Sequence, residues 1–158
     1  MSNPLSIPRQ TLALVGFIVF TFCAPLLGIF AMPDQWYAAL NKPAWNPPGW
    51  IFGPVWSLLY MMMAVAAWMV WRRAGWGKAL IFYFIQLARN AAWTPIFFGA
   101  HELGWALVEI IALWFAILLT LRSFLPISKP AAWLLAPYLA WVSFAAFLNF
   151  TLWRMNPV

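Results

Sequence analysis

Charge is what this chain most lacks. Only 8% of its 158 residues are charged, against 66% hydrophobic, whereas a soluble domain carries about a quarter charged residues. No charge lies between Arg9 and Asp34, and none between Lys42 and Arg72. Each gap exceeds the roughly 20 apolar residues needed to cross a bilayer as a helix. That excludes a soluble domain and predicts a multi-pass integral membrane protein. Chemistry-bearing residues are equally scarce, with one histidine, one cysteine and three acids. Such a set cannot furnish an ordinary metal site. Cys23, alone inside an apolar run, excludes an intrachain disulfide. No glycine-rich phosphate loop is present, and no nucleophile stands in a recognisable arrangement. His101-Glu102 reads as a solvent-facing turn, and "MMM" at 61–63 points three ways on a helix. Hydrolysis, phosphoryl transfer and dehydrogenase chemistry are unsupported, so no catalytic residue and no obligatory cofactor is expected.

The net charge of +6 contains no basic cluster larger than Arg72-Arg73 with Lys78 nearby. Basic residues at span ends set orientation, and nucleic acid is not an expected partner. The apolar runs and their punctuation give five candidate helices, at about 10–31, 50–71, 79–99, 103–124 and 130–153. They form a single all-α transmembrane domain covering 1–158, without an internal repeat. Arg9 ahead of an apolar run looks like a signal peptide, but the run from Thr11 to Met32 is too long for one and reads as an uncleaved helix. Arg9, Arg72, Arg73, Lys78, Arg122 and Lys129 fall on one side, Lys42 and Arg154 on the other. The positive-inside rule then predicts a cytoplasmic N-terminus. The short N-terminus without a transit-type leader points to a bacterial membrane.

What is abundant is tryptophan, 13 residues, and proline, 13 residues. "WYAALNKPAWNPPGW" at 36–50 concentrates both between two apolar runs. Proline removes a backbone donor and disfavours helix before it, so this stretch cannot continue either flanking helix. "PDQWYAAL" ahead of it could form a short interfacial helix with Asp34 near its start. Two readings remain. Trp and Tyr favour the headgroup zone and could form an aromatic belt; alternatively Trp36, Trp45, Pro47 and Pro48 belong to a stiff lid over a cavity among the helices.

At this stretch, and at "GPVWSLLY" (53–60), "QLARNAAWTPIFFGA" (86–100), "GWALVE" (104–109), "PYLAWVSFAAFLNF" (137–150) and "LWR" (152–154), the chain resembles the translocator protein family of tryptophan-rich sensory proteins and peripheral-type benzodiazepine receptors. The resemblance covers all but roughly the first thirty residues. It implies a five-helix bundle, commonly a homodimer, whose ligand pocket is closed by the loop after the first helix. It further implies tetrapyrrole ligands such as protoporphyrin IX, with sterols and synthetic drugs in animal members. By resemblance, Trp56, Asn90, Trp93, Trp105, Trp141, Ala145 and Leu148 lie at or near the pocket.

The residues themselves say less. At ~100° per residue, Gln86, Asn90, Trp93 and Phe97 share one face of the third helix. Amides facing lipid are costly, so that face should point inward, as interhelical glue or as ligand contacts. Trp56, Tyr60 and Met63 share one side of the second helix, with Gly53 a turn before Trp56; Trp141, Ala145, Leu148 and Leu152 form a stripe on the fifth. Indoles offer flat stacking area and an N–H, yet such stripes are more often packing. A cholesterol-type pattern fails at "LNFTLWR", where Phe150 replaces the tyrosine, and fits formally at "LIFYFIQLAR" in another helix; it carries no weight. Arg89 departs from the family pattern. It could pair with Glu109 and supply a cation near ligand carboxylates, or be a structural or dimer-contact residue. Small residues Ala88, Ala91 and Ala92 would allow close packing of a second copy.

The leading expectation is a membrane receptor or carrier for flat hydrophobic ligands, protoporphyrin IX first. Light-dependent porphyrin breakdown and a proton-coupled transporter using Glu109 and Arg89 are the alternatives.

Overall fold

Proline decides where these helices start, bend and stop. A computed structural model describes residues 7–157, all helix, turn or loop, with no strand among them. Helix α1 (Ile7–Cys23) gives way at Pro25 to a tighter 3-10 turn, Ala24–Phe30, so the predicted span 10–31 is α-helical only as far as Cys23. Gly28 lets this turn press on the end of the third long helix, since a Cβ there would stand 2.9 Å from Thr94 Cγ2.

Helix α2 (Gln35–Ala39) is the short interfacial helix read from the sequence. Asp34 caps it, its carboxylate accepting from the Tyr37 amide at 3.2 Å, and Lys42 Nζ donates to the Ala38 and Leu40 carbonyls, each at 3.0 Å. Pro43–Asn46 turns the chain (Asn46 N to Pro43 O, 2.9 Å). Pro48 is extended, and a 3-10 turn, Gly49–Ile51, leads into α3 (Phe52–Ala74). This helix runs past the predicted Trp71, with Arg72 and Arg73 in its last turn and Gly75 stopping it at φ 67°.

Helix α4 (Lys78–Thr94) widens into a π turn, Pro95–Gly99, where Pro95 has no N–H for the regular ladder. Helix α5 (Leu103–Phe124) has the predicted limits. The last predicted span, 130–153, lies within the apolar segment Lys129–Met155, which is built of two helices, α6 (Lys129–Leu134) and α7 (Ala136–Met155), with a one-residue break at Leu135. Pro137 cannot donate, so it sits in the first turn of α7, where an N–H has no partner to lose.

Helix α4 lies against α5, α5 against α7, and α1 against α3. The core uses small residues on α3 (Ala64, Ala66, Ala67) to admit large ones opposite, among them Tyr83, Tyr138 and Phe124, all fully buried. Outer faces are apolar instead of charged: Leu12, Val19, Leu58, Ile81, Phe115 and Leu119 are exposed, a surface that hydrocarbon, not water, would cover. Four helical segments, Ile7–Phe30, Gly49–Ala74, Leu103–Phe124 and Lys129–Met155, are long and apolar enough to cross a bilayer. Helix α4, 17 residues of regular helix, reaches about 25 Å at 1.5 Å per residue and carries Gln86, Arg89 and Asn90.

Candidate functional site

The amides of α4 face inward, as their shared face required. Gln86 and Asn90 are buried. Asn90 Oδ1 accepts from Tyr60 Oη of α3 at 2.6 Å, and its Nδ2 donates to Tyr138 Oη of α7 at 3.0 Å. One side chain thus ties three helices. In this arrangement both of its polar groups are used between helices, which is the glue reading of Asn90. Gln86 has a looser setting, with Nε2 3.8 Å from Met63 Sδ and Oε1 buried without a partner.

Around this network lie the aromatic rings. Trp56 stacks on Tyr60 (centroids 5.5 Å) and meets Tyr138 edge-on at 6.1 Å. Trp141, one turn along α7 from Tyr138, is framed by Phe52 at 5.9 Å and Phe144 at 5.5 Å. Its indole Nε1 is buried and has no acceptor. An orphaned buried donor is uncommon in folded proteins, and this one stands between two aromatic rings.

The Trp/Pro-rich loop packs over this end of the bundle. Trp45 stacks on Phe147 at 5.3 Å and touches Phe144 at 6.0 Å. Pro47 and Pro48 immediately precede the turn into Phe52, so movement of the loop would draw Phe52 off Trp141. The loop is tied down at two points. Asn156, just beyond α7, accepts from the Asn41 amide at 2.9 Å and donates to the Asn41 carbonyl at 3.0 Å. Trp36 stacks on His101 at 4.3 Å, and His101 Nε2 lies 3.3 Å from Asp34 Oδ2.

Asp34 makes the second tie pH-dependent. The Tyr37 amide bond, helped by His101, holds its carboxyl below the ordinary 3.8. A group with a depressed folded-state value stabilises above its unfolded value and loses that contribution as pH falls through the folded one. The contribution of Asp34 to loop protection is therefore expected to be fully present above about pH 4 and to decline below it. Asp34→Asn, which keeps a cap, should remove the decline. Limited proteolysis between residues 40 and 50 at pH 3 to 7 would check this; an unchanged acid profile in the variant would assign it elsewhere.

Other residues of interest lie nearby or apart. Trp93 donates to Asn149 Oδ1 at 3.2 Å, and Asn149 Nδ2 donates to the Leu103 carbonyl at 2.9 Å. Leu148 is buried beside Trp93 and Phe97, while Ala145 is half-buried against the main core. Gly53 is exposed, and a Cβ on it would meet nothing within 4 Å. Trp105 stands away from Trp56 and Trp141, 68% exposed, in a separate cleft with Trp36 and Trp153. Arg89 and Glu109 do pair, Nη1 to Oε2 at 2.8 Å, with side chains 49% and 12% exposed. The pair sits at the outer edge of α4 and α5, not among the tryptophans.

Tyr138, Asn149, Phe52 and Phe144 were not singled out by sequence. An amide inside a span, the cue that marked Asn90, also marks Asn149. Nothing local distinguishes Tyr138 from a packing tyrosine.

Apolar helices with lipid-ready outer faces, closing around buried amides and aromatics beneath a proline-stiffened loop, define an integral membrane protein. The chain belongs to the TspO/MBR family, whose sequence model matches residues 13–154. It is similar to the tryptophan-rich protein TspO of Chlorobaculum tepidum, 45% identical over 148 residues (90% of this chain, 89% of that one). It is also similar to the human translocator protein, 46% identical over 145 residues (84% and 86%). The tryptophan-rich sensory protein of Cereibacter sphaeroides is 43% identical over 129 residues (82% of each).

Proposed function

We propose that the protein is a membrane receptor or carrier for flat hydrophobic ligands, tetrapyrroles such as protoporphyrin IX foremost, taken up between Trp56 and Trp141 beneath the Trp45 loop. The observation that carries this is the unpartnered Trp141 Nε1, a donor held among Phe52, Phe144 and the core rings. A macrocycle offers what that setting wants: a flat π-face for the indoles and a carboxylate or carbonyl for the N–H. The Tyr60–Asn90–Tyr138 network forms the floor. Loading opens the loop from its tie at Asn156 and draws Phe52 off Trp141.

In this reading α4 is a fifth span, its regular helix lengthened by the Pro95–Gly99 turn, with the N-terminus in the cytoplasm. A second copy packs on the α1–α4 face, where Ala88 and Ala91 adjoin Phe20 and Cys23.

The test is tryptophan fluorescence of the protein in lipid nanodiscs titrated with protoporphyrin IX, in the dark and then illuminated. Saturable quenching is expected, with Trp141→Phe weakening affinity about three- to tenfold, the effect of about one hydrogen bond. Linear quenching identical in the variant would mean partitioning into lipid and would defeat the reading. A new absorption spectrum appearing only under light, and only with Trp141 present, would turn the carrier into an enzyme.

A further inference from the structure

A cleft lies outside the site just described. It opens between the first turn of α5 and the last turn of α7, beneath α2, and measures about 420 Å³, within the usual size of small-molecule sites. Three indoles, Trp36, Trp105 and Trp153, form its walls, and Val108 continues it down α5. The Trp153 ring approaches the first turn of α5 because residue 104 is glycine: a Cβ there would stand 3.3 Å from Trp153 Nε1.

The polar groups at the rim are unequal. His101 is engaged by Trp36 and Asp34, and Asn156 by Asn41. The Glu102 carboxylate alone has no hydrogen bond or ion pair among the described residues. No lysine or arginine lines the cleft. Helix α7 also ends here, with Arg154 in its last turn but not in the cleft lining, and the last carbonyls of a helix favour positive charge. The Glu102 carboxylate in turn offsets the opposite, amino end of α5. A cavity lined by three indoles, with one free carboxylate, no lysine or arginine and its histidine held against Asp34, disfavours anions and suits cations, which bind over tryptophan faces within about 6 Å of the ring.

We infer that this cleft binds an organic ammonium ion, its head between the indoles and Glu102 and its apolar body extending past Val108 along α5. The head could belong to a free amphipathic amine or to a lipid's choline group; both present the same chemistry. This inference does not depend on tetrapyrrole binding, because it uses neither Trp56 nor Trp141.

The experiment uses the full chain in nanodiscs, with benzyltrimethylammonium as probe and neopentylbenzene as its uncharged isostere, read by calorimetry and saturation-transfer NMR. Saturable binding of the cation alone is expected. Glu102→Gln and Trp105→Leu, both at exposed positions where folding is not at stake, should each weaken it about tenfold. Gly104→Leu should abolish it by filling the cleft. If the apparent affinity falls in phosphatidylcholine discs relative to discs of an uncharged galactolipid, a lipid choline group is the occupant; equal affinity identifies a free amine. Unsaturable uptake, equal binding of the isostere, or indifference to both Glu102→Gln and Trp105→Leu would overturn the inference.

Discussion

Replacing Asn90 by alanine is expected to destabilise the fold by roughly 2–4 kcal/mol, although the change removes only a small side chain. Two buried tyrosine hydroxyls, on Tyr60 and Tyr138, lose their partner at once, and leaving a buried polar group unmatched costs about 1–3 kcal/mol. The lower half of the range is favoured by the membrane, where an unfolded helix still finds other polar partners. The asymmetry between breaking and deleting the network supplies the check. Tyr60→Phe alone should cost less than Asn90→Ala, since Tyr138 keeps its amide. The triple change Tyr60→Phe, Asn90→Leu, Tyr138→Phe, which leaves no orphan, should recover most of the loss. Unfolding of each variant in mixed micelles at graded denaturant would measure this. A triple variant no more stable than Asn90→Ala would mean that packing volume, not hydrogen bonding, sets the value of this site.

The same residues show how far a sequence can be read. The helix limits were legible where proline or charge marked them: Asp34 ahead of "QWYAA" announced the cap of α2, and Arg72-Arg73 put the end of α3 within three residues of Ala74. The break at Leu135 was harder. Pro137 stood in view, but the apolar run continues through it, and hydropathy does not register a one-residue change in hydrogen bonding. Inwardness of Gln86 and Asn90 followed from the cost of an amide in lipid. What Asn90 touches did not, because Tyr60 and Tyr138 come to it from helices 30 and 48 residues away along the chain. Likewise the sequence could not separate Trp105 from Trp141. Both are tryptophans in apolar helices, and only packing sends one to a rim cleft with Trp153 and the other among Phe52 and Phe144.

Loss of one partner from the Arg89–Glu109 pair should be the second large effect, and an unequal one. The Arg89 head is half exposed at the edge of the bundle, while Glu109 is mostly enclosed and its Oε1 already lacks a partner. Breaking a buried pair by removing one side costs about 3–5 kcal/mol, and a lone charge costs about 2.5–3.5 kcal/mol at the centre of a span on insertion scales, less at Glu109, which lies nearer the start of α5. Arg89→Leu strands the enclosed group and should reach roughly 3 kcal/mol. Glu109→Gln strands the long arginine, which can bend its head towards the headgroups, and should cost roughly half as much. The double variant carries no stranded charge and should come within about 1 kcal/mol of the parent, a non-additivity that a double-mutant cycle reads directly. Porphyrin titration of the same variants then decides what the pair is for. Because it lies at the outer edge of α4 and α5, the double variant should bind as the parent does, which makes the pair a fastener between two helices. If it folds but binds more weakly, Arg89 acts on the ligand's carboxylates. If it folds and binds, yet no longer lets added ligand dissipate a pH gradient across vesicles, the pair belongs to proton-coupled transport.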